Sequence, residues 1–428
     1  MKIAIDLSVL QSHHRFRGIG AVTINFINHL SSAAKENYKF VFFVNRNSKE
    51  LAFESLDLTG INYEVRYLKD ISYFQFPGVL RLLSKTIHKV IGFINYTVGD
   101  PRISNKQLLD ITHYIQFDQT QKLPKGARKI AFLILYDIIP YILKYDYLRT
   151  YSISRSIGLN HKDSIRSAFL RQQYKLKLLI NCQRAKKLIS ISEKTKNDFI
   201  KYLHIKEEKI SITLLGMNHK KYNFNHKIPL NEYKPTVWGS LKRSVDLTKK
   251  PFILFSGGTD PRRKINELLA AFNNLKARGT DISLVLSGDS MDGLENLKNE
   301  EMKSYIKENT SYIEDIHLMG FVSNVELQWL YSNALAFVFP SVYEGFGLPI
   351  IEAMGHCCPV ITFNNSSIRE AGGNDAIYVN NFKEIAHAIQ ALIDDPNKRS
   401  NLIKGGKSRS LKYTWDNTAD SIIRTIGL

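Results

Sequence analysis

The stretch FPSVYEGFGLPIIEAMGHCCPV, residues 339–360, sets two glutamates eight positions apart around a Gly-x-Gly turn and a proline. Running into it, LAFVFP at 335–340 is a short unbroken apolar run, the pattern of a strand buried on both faces. In the loop VYEGFG, Gly345 and Gly347 let the backbone turn tightly and approach a ligand closely. Pro349 suits the first helical position, so PIIEAM opens a helix whose free N–H groups point back at the loop. Such a helix start behind a glycine turn is an anion site. Glu352 lies about one turn into the helix and Glu344 stands before it. The two acids therefore address different parts of one extended ligand rather than form a hydrolytic pair. A carboxylate that accepts two hydrogen bonds clamps vicinal hydroxyls such as those of a ribose or hexose. The plainer alternative makes both glutamates helix-start charges favoured by the dipole, but Glu344 is then a costly loop acid in an apolar frame.

Outward from this stretch, strand-like and helical patterns alternate along the whole chain. In the first half KIAIDLSV, YKFVFFV, NYEVRYL, DITHYI, KIAFLIL, KLISIS and KISITLL read as strands. In the second half FILF, ISLVLSG, IHLMG, LAFVFP, PVITF and AIYV do so, with helical segments such as INELLAAFNNLKARG and FKEIAHAIQALI between them. This alternation predicts two α/β domains, each a doubly wound parallel sheet covered by helices on both faces. The expected divisions are 1–225, a linker at 226–250 without sustained periodicity, 251–410, and a closing helix at 411–428 that crosses back to the first domain. Two such domains in tandem are expected to face a central cleft lined by the loops after the strands.

A second site is expected in FILFSGGTDPRRKINELLAAF. Gly257 and Gly258 follow the strand, and Arg262, Arg263 and Lys264 stand at the start of the next helix. Positive charge there is unfavourable to the helix itself, so three cations call for an anion. A diphosphate fits, since arginine gives planar bidentate contacts and lysine a compact charge; solvated surface basics are the alternative.

Composition narrows the function classes. At 428 residues and 44% hydrophobic the chain has ample apolar material for a sizeable core. Three cysteines without CxxC spacing fit a reducing cytosol and argue against structural zinc. The start MKIAIDLSVL reads as a first strand rather than a secretion signal, and no segment reads as membrane-spanning. Charge is one-sided: residues 1–240 hold 38 Lys+Arg against 18 Asp+Glu, whereas residues 241–428 hold 21 against 22. The first half should therefore attract an anionic partner. No nucleic-acid module is recognisable among its basic residues, so nucleic acid is not expected. The segments 74–98 and 155–187 combine cations with apolar residues, as a helix lying on an anionic membrane would, and equally as a partly buried surface helix would. In RGIGAVT, Thr23 stands where a dinucleotide fingerprint wants its third glycine, which speaks against NAD.

These motifs, EGFGLPIIE with its preceding PS, EAMGHCCPVIT, SSIREAGG and GGTDPRRK, together resemble the retaining glycosyltransferases of family GT4, with the GT-B fold of two Rossmann-like domains. The likeness extends to RGIGAVTINFI, SISEKTKNDFI, KISITLLGMN and YTWDNTAD. It implies that Glu352 binds the ribose of a nucleotide sugar, and that Glu344 contacts the transferred sugar. The amides of Phe346, Gly347 and Leu348 would then meet sugar hydroxyls and phosphate. Arg263 and Lys264 would neutralise the leaving diphosphate, with Arg262 as alternative and Gly257 and Gly258 beside it. In the N-terminal domain Arg17, Gly18 and Gly20 would approach donor phosphate or acceptor; a plain strand-to-helix turn is the competing reading. The family's His-Asp pair appears here as Tyr136-Asp137, so Asp137 takes the catalytic position and the role of Tyr136 stays open.

The resemblance implies a hexosyltransferase, with no cofactor or metal, since no Asp-x-Asp occurs in these segments. GDP-mannose is favoured as donor, with UDP- and dTDP-sugars open. The expected acceptor is a lipid-linked or other anionic glycan at the cytosolic membrane face, in bacterial surface polysaccharide assembly. Rival readings are a non-catalytic sugar-nucleotide-binding subunit, a nucleic-acid-binding protein and a phosphorylase.

Overall fold

A computed structural model describes residues 1–16, 18–69, 100–217, 246–288, 291, 293–295, 297, 300–309 and 311–427. The expected membrane segment 74–98, residues 226–245 of the expected linker, and Arg17 lie outside the described residues. The chain divides into two compact units, residues 1–215 with 415–428, and residues 216–414.

The first unit is built on a seven-stranded parallel sheet. Its strands are β1 (Lys2–Asp6), β2 (Lys39–Val44), β3 (Tyr63–Tyr67), β4 (His113–Gln116), β5 (Ala131–Leu135), β6 (Lys187–Ser190) and β7 (Ile210–Ile212), in the order β3-β2-β1-β4-β5-β6-β7. Ala4 of β1 pairs with Val41 on one side and Tyr114 on the other. Residues Ile3, Ala4 and Ile5, like Ala131, Leu133 and Leu135, have almost no exposure. A strand buried on both faces must be apolar without alternation, which is why the sequence shows runs here rather than a period of two. Each such side chain contributes about 1.5–3 kcal/mol by leaving water. The closing helix Trp415–Thr425 belongs to this unit and packs on the helix Gly18–Asn28. It buries Trp415, Ala419 and Ile422, while Thr418 Oγ1 donates to the Leu214 carbonyl at 2.9 Å.

The second unit carries a six-stranded parallel sheet. Its strands are β8 (Phe252–Ser256), β9 (Ser283–Ser287), β10 (Ile316–Gly320), β11 (Ala336–Phe339), β12 (Val360–Phe363) and β13 (Ile377–Val379), in the order β10-β9-β8-β11-β12-β13. The chain moves outward from β8 through β10, then returns to place β11 on the other side of β8. In such sheets ligands bind beyond the carboxyl ends of the two strands where the order reverses. In this unit those strands are β8 and β11, and in the first unit β1 and β4. The two glycine motifs of the sequence, after Ser256 and after Phe339, therefore fall on either side of one switch point.

Candidate active site

After β8 the backbone takes a conformation open to glycine. Gly257 has φ +151°, Gly288 after β9 has φ +143°, and a Cβ on Gly288 would lie 2.0 Å from the Gly257 carbonyl oxygen. Gly257 N–H meanwhile donates to Ser287 O at 2.8 Å. Two adjacent loops thus touch backbone to backbone. Pro261–Arg263 then forms a single helical turn capped by Asp260, whose carboxylate accepts from Arg262 N–H at 3.2 Å. Lys264 follows in the left-handed region at φ +44° and precedes the helix Ile265–Ala277. A non-glycine residue there costs on the order of 1 kcal/mol. The basic run is therefore no simple helix start: the turn directs Arg262 and Arg263 inward, and Lys264 stays exposed.

The loop after β11 meets that turn. Val342 N–H donates to the Arg262 carbonyl at 2.8 Å, and the Glu344 carboxylate lies 3.5 Å from Arg262 Nη2 and 3.9 Å from Arg263 Nε. The three side chains are only 13 to 17% exposed, so water screens them weakly. Asp260 Oδ1 also lies 3.9 Å from Arg262 Nε, so the two cations face two carboxylates at this corner, and the Arg263 guanidinium sits 5.6 Å from the centre of the Phe339 ring. Glu344 is held from several sides. Ser341 Oγ donates to its Oε1 at 2.8 Å, its N–H donates to Ser366 Oγ at 3.0 Å, and Ser367 Oγ donates to its carbonyl at 2.7 Å. Asn365 Nδ2 ties the Ser341 carbonyl at 3.0 Å. Asn365, Ser366 and Ser367 escaped assignment from sequence; the signal available was the polar run NNSS directly after the apolar strand VITF.

Gly347, at φ +107°, precedes the helix Leu348–Gly355, with Pro349 second in it. Phe346 turns its ring into the protein, 3% exposed and edge-on to Tyr413 at 5.8 Å. Only its backbone is left for a ligand. Glu352 lies farther along the helix and lines a cavity of about 50 Å³ with Asn324, Leu327, Gln328, Tyr331 and His356. Burial pushes the Glu352 carboxyl up to about 7. The His356 ring stacks on Tyr331 at 5.5 Å, and its Nδ1 lies 2.7 Å from the Glu352 carbonyl. A carbonyl only accepts, so Nδ1 carries the proton. His356 was not singled out from sequence.

Four of the expected site residues in the first unit are among the described residues. Gly18 has open space where a side chain would start, whereas a Cβ on Gly20 would come within 2.4 Å of the Arg15 carbonyl oxygen. Gly20 thus lets its helix sit against the preceding turn. Tyr136 is 7% exposed, and burial holds its phenol well above the usual range. Its main chain is fixed by Gln119 Oε1, which accepts from Tyr136 N–H at 2.9 Å, and by Thr195 Oγ1, which donates to Tyr136 O at 2.8 Å. Asp137 Oδ1 accepts from Ile139 N–H at 2.9 Å, starting a short helical turn. Gln119 is itself positioned through Asn181, whose Nδ2 donates to the carbonyls of Gln119 and Gln121 at 2.9 and 2.8 Å. Among the described residues, no group of three or more His, Cys, Asp or Glu side chains is arranged to hold a metal ion.

Two doubly wound parallel-sheet domains with a basic, carboxylate-bearing switch point define the GT-B class of fold, as the sequence resemblance implied. Residues 240–409 match the model of the family glycosyl transferases group 1. The O-antigen chain mannosyltransferase B of Escherichia coli is 28% identical over 248 residues, 57% of this chain and 61% of that protein. The O-antigen chain mannosyltransferase RfbU of Salmonella typhimurium is 26% identical over 251 residues, 58% and 62% of the two chains. The chain thus spans about three-fifths of the length of these relatives. Similar solved structures include HepE of Anabaena in complex with UDP-glucose, with TM-score 0.62, 14% identity and coverage of 100% of this chain and 99% of that one. Another is WaaG, a glycosyltransferase involved in lipopolysaccharide biosynthesis, with TM-score 0.59, 12% identity and full coverage of both chains.

Proposed function

We propose that the chain is a retaining hexosyltransferase that moves a sugar from a nucleoside diphosphate onto a glycan acceptor during assembly of a bacterial surface polysaccharide. The observation that carries this is the convergence of Arg262, Arg263 and Glu344 at the β8–β11 switch point. The two guanidiniums meet a diphosphate, and Glu344 beside them meets the sugar attached to it. The amides of Phe346, Gly347 and Leu348 at the start of a helix add donors for phosphate and sugar oxygens. Glu352 accepts from the ribose hydroxyls. Mannose is the favoured sugar, because both relatives named above are mannosyltransferases.

In the reaction the bond from the anomeric carbon to the β-phosphate oxygen breaks, and the electron pair leaves on the diphosphate. Arg262, Arg263 and exposed Lys264 stabilise that growing charge. The acceptor oxygen bonds to the same face of the sugar, and its proton passes to the departing phosphate oxygen. Glu344 positions the sugar and stabilises positive charge at the anomeric carbon. No metal is required in this scheme, since the cations are side chains. Asp137 in the first unit is assigned to the acceptor side. The acceptor is lipid-linked and presented at the inner face of the cell membrane, in keeping with the positive charge of the first 240 residues.

Calorimetric titration of GDP, UDP and dTDP in the presence of EDTA tests the donor site. One diphosphate should bind at micromolar strength, and Glu352→Ala should weaken it by about 1–3 kcal/mol, the loss of a charged hydrogen bond. Absence of binding by all three, or indifference to the substitution, overturns the reading. Binding without turnover on any donor would identify a sugar-nucleotide-binding subunit instead.

A further inference from the structure

We propose that the helical hairpin at residues 144–170 of the first unit is a docking surface for an anionic phospholipid bilayer. The proposal deepens the reading above, a lipid-linked acceptor at a membrane face, and rests on it for its setting. Large apolar side chains exposed singly on a surface need no explanation. Here Tyr145, Tyr151, Ile157, Ile165, Phe169 and Leu170 are 40 to 62% exposed within 26 residues.

The helix His161–Arg184 shows how they are presented. Ser164, Arg171, Leu178, Asn181 and Cys182 are its buried residues, at intervals of seven, seven, three and one, which fixes the inward side. At 3.6 residues per turn, Lys162, Arg166 and Phe169 point the opposite way, with Ile165 and Leu170 flanking them. The outward face is therefore a mixture of cations and apolar groups, the composition of a helix that lies in the headgroup region of a membrane. The neighbouring turn adds Lys144 beside exposed Tyr145, and Arg155 beside exposed Ile157.

The surface has a fixed base. Arg171 Nη1 donates to the carbonyls of Tyr141 and Leu148 at 2.6 and 2.8 Å, and its guanidinium lies 3.8 Å from the centre of the Tyr141 ring. Ser167 Oγ donates to Arg149 O at 3.3 Å. At the open end, Tyr151 Oη and His161 Nδ1 are 2.8 Å apart. The short helix Tyr151–Ser156 and the long one thus present one pre-formed patch.

Charge selects the occupant. On the patch itself Lys144, Arg155, Lys162 and Arg166 are exposed against exposed Asp146 and Asp163, an excess of positive charge. Cations flanking exposed aliphatic side chains complement a surface that offers phosphate outside and hydrocarbon just beneath. A nucleic acid would use the same cations but has no use for exposed Ile157, Ile165 and Leu170, because bases stack on aromatic faces.

The test is flotation of the full chain with vesicles of phosphatidylcholine alone and of phosphatidylcholine mixed equally with phosphatidylglycerol. The wild type should float with the mixed vesicles, float less with neutral ones, and be released by salt. Ile165→Ser with Phe169→Ser, and separately Lys162→Glu with Arg166→Glu, should each reduce flotation at least fivefold. Titration of the diphosphate bound by the wild type serves as the control in both variants, and should be unchanged. The proposal is overturned if both variants float like the wild type, or if only the charge reversal matters. It is also overturned if the wild type prefers single-stranded DNA or RNA to mixed vesicles at equal salt. Should flotation behave as expected while no diphosphate binds any form, the glycosyltransferase reading falls and the docking surface stands.

Discussion

Arg263 occupies the space that a side chain on Gly257 would need: Nη1 lies 1.6 Å from where a Cβ would stand. The glycine is thus the floor on which the guanidinium rests, and it stands at φ +151°, outside the range side chains readily accept. Gly257→Ala should lower the melting temperature and weaken diphosphate binding at least tenfold, about 1.4 kcal/mol. Adding Arg263→Ala removes the clash. Thermal melts of the double variant should recover part of the stability while binding stays lost.

Glu344 opposes the anion that its arginine neighbours attract. Glu344→Gln removes a negative charge from a weakly solvated corner while keeping the shape that Ser341 holds. Diphosphate affinity should stay equal or rise severalfold by calorimetry. Turnover should fall about a hundredfold, of the order seen when one transition-state contact is removed. An unchanged turnover number would remove Glu344 from the chemistry.

The buried carboxyl of Glu352 makes donor binding depend on pH. Its pKa in the folded protein is about 7, against an ordinary 4.5. Ribose hydroxyls donate to the carboxylate, so diphosphate affinity should rise with pH through about 7, and Glu352→Gln should flatten the profile. Stability runs the other way. Between about pH 4.5 and 7 the folded state holds the proton more tightly than the unfolded chain, so this group's contribution is present at low pH and lost as pH rises. Thermal melts at pH 5 and 8 should show Glu352→Gln gaining on the wild type at the higher pH.

Asn181 joins two carbonyls in the interior of the first unit, and Leu123 N–H donates to its Oδ1 at 3.4 Å. Asn181→Ala leaves these groups buried and unsatisfied, which costs roughly 2–4 kcal/mol if each is worth 1–3 and the site partly relaxes. Chemical denaturation of the variant measures this directly. Loss of acceptor turnover with retained diphosphate binding would follow, because Gln119, which fixes Tyr136 and Asp137, shifts with it.

The central strands were legible in the sequence because parallel strands buried on both faces must be continuous apolar runs, and turn residues bound them sharply; the edge strand Tyr63–Tyr67 has no buried residue and no such run. FILF and PVITF needed no tertiary context to be recognised. The phosphate-side cluster was legible as chemistry but not as geometry. Arg262, Arg263 and Lys264 are adjacent in sequence, yet only a turn with a left-handed Lys264 separates two inward guanidiniums from an exposed ammonium. Glycines were ambiguous for a physical reason. A missing side chain signals either a ligand approach or a close neighbour, and for Gly20 the neighbour is the backbone of Arg15. Tyr136 read as a residue of the site, but its burial depends on packing that no local pattern encodes. The serines and Asn365 around Glu344 come from a separate loop, so only the fold brings them to it.

The closing helix Trp415–Thr425 completes a domain that begins at Lys2. Translation delivers the strands of the first sheet early and the helix that covers Gly18–Asn28 last, after the whole second domain has emerged. Until then the part of that early helix that meets Trp415–Thr425 has no cover from its own chain, although Phe26 already packs on Phe117. The second domain, contiguous in sequence, is free to fold as soon as it leaves the ribosome, ahead of the one that precedes it. A nascent chain stalled before Trp415 should accordingly bind a nucleoside diphosphate while its first domain is still open to protease.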